Sequence, residues 1–252
     1  VSLEDIRFER CFTGTTTGSS SRLRGPWKAS IFDDRPDTGS SNKEGVRKLQ
    51  ETKVPYFSQW ETAGMTTSVY AGGSSALLRD PLWKNSGADT VEEYAHWGVN
   101  ICGMACLKMI LSVRGEIHPT ISLARICTAY GGYVVDKEDA SIRGLIYTPF
   151  VSFVVDCFGI AAEAMTGIDA ARITTILSEW QFLIASVNSD IRFPNSSPSV
   201  KGGHLVLITA ATSNAVQFHN PSGHDASTRA DVVLPLATFD RFFANRGIVV
   251  SL

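Results

Sequence analysis

From residue 54 onward the apolar positions fall into two regimes, divided near Trp180. Before it they recur at helical spacing. Met104, Leu107, Met109, Ile110 and Leu111 mark residues 102–114 as a strongly apolar helix, central and buried, which Gly115 ends. A shorter helix is predicted over 90–97, with Asp89 or Thr90 as N-cap and Glu92 and Glu93 in its first turn. Further helices are predicted over 122–130 and 141–158, separated by Gly131-Gly132, and over 169–180, where Asp169 caps an apolar face of Ile173, Ile176 and Leu177. After Trp180 the period becomes two and β-branched residues dominate. Strands are predicted over 182–187, 205–210 and 215–218, the last two joined as a hairpin by Ala211-Thr212-Ser213-Asn214. A helical stretch over 236–244 leads into a final strand over 247–252. Helices first and an antiparallel sheet afterwards predict an α+β fold of two segregated layers, not a doubly wound sheet.

Residues 1–50 have a different texture. Residues 1–12 alternate enough for a strand or two, 13–21 are a Thr, Gly and Ser run, and 33–48 are polar loop. The expected division is an N-terminal extension over 1–50 and one domain over 51–252. The chain has 252 residues, 44% of them hydrophobic, enough for one sizeable core. Its 23 Lys and Arg nearly balance 25 Asp and Glu, so no basic stripe exists to neutralise phosphates, and nucleic acid is excluded as a partner. No apolar run reaches the roughly 18–20 residues of a membrane span, so no membrane insertion is expected. No basic-then-apolar signal opens the chain.

Five cysteines, Cys11, Cys102, Cys106, Cys127 and Cys157, are an odd, sparse set and not a disulfide framework. Free thiols lean toward a reducing, cytoplasmic compartment, with secretion open if a signal peptide has been removed. Cys102 and Cys106 lie four apart but lack further convergent ligands, so neither a metal nor another cofactor is called for. Cys106, Cys127 and Cys157 read as small buried hydrophobes.

Cys102 is different. It opens the apolar helix in Asn100-Ile101-Cys102-Gly103, behind a polar loop, and a helix N-terminus beside an imidazolium lowers a thiol pKa enough to hold a thiolate at neutral pH. Gly103 leaves the backbone uncrowded for a substrate carbonyl. A base is offered by His204, which follows Gly202-Gly203 and leads the strand Leu-Val-Leu-Ile at the rim of the sheet. Asn220, in Phe218-His219-Asn220-Pro221, ends the paired strand, and a hairpin brings it beside His204 to orient the ring. Upstream, Gln59 in Val54-Pro55-Tyr56-Phe57-Ser58-Gln59-Trp60 has a side-chain amide able to donate to a developing oxyanion together with the Cys102 N–H. His219 alternates to the other face of its strand and is set aside as a base, and Asp231 is a weaker orienting candidate than Asn220.

The strings VPYFSQW, NICGMACLKMIL, GGHLVLITA and FHNPSG, in that order, resemble papain-like cysteine peptidases of the bacterial C39 type over residues 54–250. The resemblance implies a papain-like two-layer fold, a central nucleophile helix packed on a C-terminal antiparallel sheet, and thiol chemistry on an amide. By motif, Cys102 is the nucleophile, His204 the base, Asn220 the orienting residue and Gln59 the oxyanion donor. Substrate contacts are expected from Gly103, Gly203, Trp97 and Arg192, the last in the polar loop before His204. The chain carries a 42-residue insertion between Gln59 and Cys102 and no ATP-binding cassette or membrane segment, so a free-standing hydrolase is implied and not export-coupled leader removal. The expected partner is a peptide or amide substrate. An acyltransferase on the same groups and a silent peptide-binding module are the alternatives, and nothing fixes the oligomeric state.

Overall fold

Cys11 and residues 53–252 are described by the computed structural model, and they include the whole of the unit Lys53–Leu252. Apart from Cys11, the expectations for residues 1–50 lie outside the described residues.

The strongly apolar stretch after Cys102 forms the most buried helix among the described residues. Numbered in chain order, α1 spans Thr66–Gly72, α2 Val91–Gly98, α3 Cys102–Val113, α4 Thr120–Ala129 and α5 Tyr147–Phe158. Every residue of α3 from Gly103 to Ser112 is buried. Lys108 is buried among them because it has partners outside the helix. Its ammonium lies 3.9 Å from a Glu61 carboxylate oxygen and 4.9 Å from the centre of the Phe57 ring. Thr90 caps α2 as predicted, accepting the Glu93 N–H at 3.1 Å. No single helix among the described residues is long and apolar enough to cross a membrane.

After α5 come β1 (Ala161–Thr166), α6 (Ile173–Glu179), β2 (Phe182–Asn188), β3 (Gly203–Ala211), β4 (Ala215–His219), β5 (Val232–Pro235), α7 (Leu236–Asp240) and β6 (Phe243–Ser251). The six strands form one sheet in the order β1-β6-β2-β3-β4-β5, every neighbouring pair antiparallel. Helices α3, α4 and α5 pack together, α3 lies on β3 and β2, and the α+β class holds. One feature goes beyond two layers. Leu183, Ala185 and Val187 of β2, with Val206 and Ile208 of β3, form a second core with Ile173 and Ile176 of α6 and Phe239 of α7. Strand residues two apart share a face, so this core covers one side of the sheet while α3 covers the other.

Several boundaries differ from the sequence expectation for local reasons. The helix predicted over 141–158 begins only at Tyr147, because Pro149 fits a first helical turn but not a helix interior. Residues 141–146 are not helical, and Ile142 makes an isolated bridge with Val135. The helical stretch predicted over 236–244 ends at Asp240, and β6 has begun by Phe243. The cysteines divide as well. Cys106 and Cys127 are free and buried, but Cys157 is disulfide-bonded, which corrects its reading as a small buried hydrophobe.

Candidate active site

Helices α2 and α3 meet at 96° across the short break Val99–Asn100–Ile101, which leaves the start of α3 accessible. No side chain caps this start. Cys102 occupies the first position of α3. The backbone N–H groups of Leu205, Gly103 and Cys102 itself favour its thiolate, yet burial outweighs them and pushes the thiol above its ordinary value.

Cys102 shares a cavity of about 440 Å³ with Gly203, His204 and Leu205 of β3. Asn100, Gly144, Leu145, Tyr147, Ser186 and Arg246 complete much of its wall. His204 leads β3 opposite Val187 of β2 and is 6% exposed. Its Nε2 lies 2.8 Å from Asn220 Oδ1 and 3.1 Å from Ser222 Oγ.

The tautomer follows from a neighbouring backbone group. Ser222 N–H, which can only donate, reaches the same Asn220 atom at 3.2 Å, so that atom is the amide oxygen. His204 Nε2 must then carry the proton it donates to Asn220, and Nδ1 keeps the lone pair that a base requires. Burial, reinforced by the Arg192 charge and opposed by the Asn220 bond, pulls the His204 pKa from 6.5 to about 4. With the thiol raised and the imidazole lowered, the two groups rest neutral at pH 7, whereas the sequence suggested a standing thiolate. Desolvation of both groups is the cause.

This depressed pKa has a consequence for stability. Above pH 6.5 His204 is neutral folded and unfolded. Below it the unfolded chain binds a proton that the folded chain refuses until about pH 4, so stability falls across that window. Between pH 7 and pH 4 the wild type is expected to lose about 3 kcal/mol more than a His204→Gln variant. Denaturant midpoints at the two pH values measure the difference.

Segment 54–60 holds the Asn220 turn from outside. Tyr56 Oη donates to Asn220 O at 3.1 Å, Ser58 Oγ donates to Pro221 O at 3.1 Å, and the Gln59 backbone N–H donates to Pro221 O at 2.8 Å. The Gln59 side chain is buried, and its Nε2 donates to Gly98 O at 2.7 Å, an oxygen that Trp60 Nε1 also reaches at 3.0 Å. A side chain at Gly98 would collide with Leu77, since a Cβ there would lie 2.5 Å from Leu77 Cδ1.

Of the candidates from sequence, Cys102, Gly203 and His204 share the cavity wall and Asn220 is bonded to His204. Gly103 lies just behind, where a Cβ would come 2.7 Å from Leu145 Cδ2. Gln59, Trp97 and Arg192 are not part of the wall. Trp97 packs edge-on to Tyr133 at 5.4 Å, and Arg192 donates to Ser189 O at 2.8 Å and to Ser222 Oγ at 3.2 Å behind His204. His219 is spent structurally: Asp231 N–H donates to its Nδ1 at 3.0 Å, and its Nε2 donates to Val54 O at 2.9 Å. Sequence reasoning missed Ser222, Ser186 and Arg246. Ser222 sits two residues after Asn220 in the same turn, and an Asn-Pro-Ser turn whose side chain accepts the N–H two residues on was the signal available.

No protein-family model matches the chain, and no curated protein matches it. The chain is similar in structure to the peptidase domain of Streptococcus ComA, a bi-functional ABC transporter involved in a quorum-sensing pathway. That match has 14% identity, covers 60% of this chain and 91% of that one, and has a TM-score of 0.42. A C39-like peptidase structure from Bacillus anthracis matches with 15% identity over 61% of this chain and 89% of that one, at a TM-score of 0.45.

Proposed function

We propose that the protein is a cysteine peptidase or amidase that cleaves a peptide or amide bond through an acyl-thioester on Cys102. The observation that carries this reading is a thiol at an uncapped helix start sharing a cavity with a histidine whose Nε2 is tied to Asn220 Oδ1 at 2.8 Å. Because the pair rests neutral, proton transfer from Cys102 Sγ to His204 Nδ1 accompanies attack on the substrate carbonyl. The carbonyl becomes a tetrahedral oxyanion, held by the Cys102 N–H. Gln59 has one Nε2 hydrogen beyond its bond to Gly98, and that hydrogen is the second donor. Collapse expels the amine, which takes its proton from His204 Nδ1 and leaves the acyl group on sulfur. His204 then removes a proton from water, the hydroxyl adds to the thioester, and the thiol is regenerated. Asn220 accepts from Nε2 throughout and keeps the basic nitrogen turned to the chemistry.

The test is cleavage of a mixed peptide library followed by mass spectrometry. The wild type is expected to give defined products that a Cys102→Ala variant does not give. Identical product patterns from the two proteins would remove Cys102 from the reaction.

A further inference from the structure

One stretch of the cavity wall has no part in the chemistry described so far. Arg246 is the single Lys, Arg, Asp or Glu in that wall, and Ser186 lies beside it. Ser186 is 2% exposed. Among the described residues, neither the Arg246 guanidinium nor the Ser186 hydroxyl has a hydrogen-bond or ion-pair partner, and the hydroxyl opens on the cavity. Unpaired and open to the cavity, this hydroxyl is available to a ligand.

Both groups converge on Gly202. A Cβ at that position would lie 3.2 Å from Arg246 Nη2 and 3.4 Å from Ser186 Oγ, so glycine keeps open the space between them. Its φ of +96° also disfavours any other residue. The backbone brings Arg246 here by an irregularity. Ala185 pairs with Gly247 and Val187 with Phe243, so Ala244, Asn245 and Arg246 of β6 stand opposite Ser186 alone. Such a bulge re-aims a side chain, and this one is anchored. Asn245, at φ +55°, donates from Nδ2 to Ile168 O at 2.8 Å and accepts the Ile168 N–H at 2.8 Å.

We propose that Arg246 and Ser186, across Gly202, form a carboxylate-binding subsite beside Cys102, so that the site prefers substrates carrying a carboxylate close to the scissile amide. This deepens the peptidase reading and rests on it for the word substrate. The chemistry is that of a guanidinium and a hydroxyl donating together to one carboxylate, a pairing stronger than neutral hydrogen bonds. The carboxylate is either an acidic side chain or a free peptide C-terminus.

The test uses two small thiol reagents on the full chain, anionic iodoacetate and neutral iodoacetamide. The ratio of their rates at Cys102 cancels any change in thiol ionisation, and it is measurable whether or not the protein cleaves peptides. In the wild type this ratio is expected to exceed that at free glutathione by about tenfold. Arg246→Gln should bring it to the glutathione value, while Ser186→Ala lowers it partly and Arg246→Lys retains part of it. A wild-type ratio equal to that of glutathione, or one unchanged by Arg246→Gln, overturns the proposal. Protection of Cys102 by short peptides then identifies the source. Protection by a free-acid peptide but not its amide indicates a C-terminal carboxylate, and protection by a Glu-containing peptide amide but not its Gln counterpart indicates an acidic side chain. Equal protection by charged and uncharged peptides, or by none, also overturns it. Failure of the peptidase reading looks different, since peptide cleavage would then be absent with the reagent ratio intact.

Discussion

A His204→Ala variant is expected to cleave amide substrates with kcat/KM about 10²–10⁴ below the wild type. The reason lies in the resting state of the site. Burial leaves Cys102 as a thiol, so nucleophilic attack needs a base at the moment of reaction. In the proposed reaction His204 supplies that base at Nδ1, the nitrogen left free when Nε2 bonds Asn220 at 2.8 Å. Removing the ring takes away both the acceptor of the thiol proton and the donor to the leaving amine. An Asn220→Ala change should cost less, since Ser222 Oγ remains 3.1 Å from Nε2 and holds part of the orientation. Steady-state kinetics on one defined peptide, with circular dichroism to show equal folding, measures both variants. A His204→Ala protein as active as the wild type would mean that the thiol needs no imidazole.

The largest stability effect is expected away from the cavity, at Asp80. This carboxylate is 1% exposed and carries no ion pair among the described residues, yet four donors surround it. Thr62 Oγ1 donates at 2.6 Å, Thr62 N–H at 3.1 Å, Leu82 N–H at 3.0 Å and Tyr94 Oη at 2.5 Å. Burial alone would raise its pKa, but these bonds together prevail and lower it. Tyr94 Oη also accepts the Glu61 N–H at 3.0 Å, so the cluster ties the start of the insertion to its middle and to α2. Asp80→Ala would strand several buried donors at once. A loss of about 3–5 kcal/mol is expected, or roughly 10 °C in Tm for a body of this size. Tyr94→Phe removes one bond and should cost a fraction of that. Thermal unfolding of the two variants measures the ranking, and an Asp80→Ala protein melting with the wild type would show the cluster to be dispensable.

The parts of this molecule legible in its sequence are those whose periodicity is strong. Helix α3 and the β3–β4 hairpin announce themselves because their apolar residues have no other way to be buried, and the hairpin brings Asn220 to His204. Strand β1 does not, since Ala-Ala-Glu-Ala-Met-Thr has little intrinsic strand preference and is made a strand by pairing with β6. The segment around Gln59 reads locally as an edge strand, yet its bonds go to the Asn220–Pro221 turn and to Gly98, contacts that no local pattern encodes. Arg246 was invisible for a related reason. Its place depends on which residues of β2 and β6 pair and where the register slips, and a sequence does not display a bulge before its partner strand is known. Arg192 lies apart from the cavity wall. A charged residue in a polar loop suggested a substrate contact, but its guanidinium lies 5.4 Å from the Tyr70 ring centre and is bonded to Ser222.

The central claim is that His204 activates Cys102, and competitive alkylation tests it most directly. Wild type and His204→Ala are treated with limiting iodoacetamide at pH 7, digested, and the adducts on Cys102, Cys106 and Cys127 quantified. Because the resting group is a thiol, its proton passes to His204 as sulfur attacks the reagent, so Cys102 is expected to be modified ahead of the buried Cys106 and Cys127 in the wild type and at least about tenfold more slowly without the histidine. Slow, even modification of the three thiols, or the same Cys102 rate in both proteins, would contradict it.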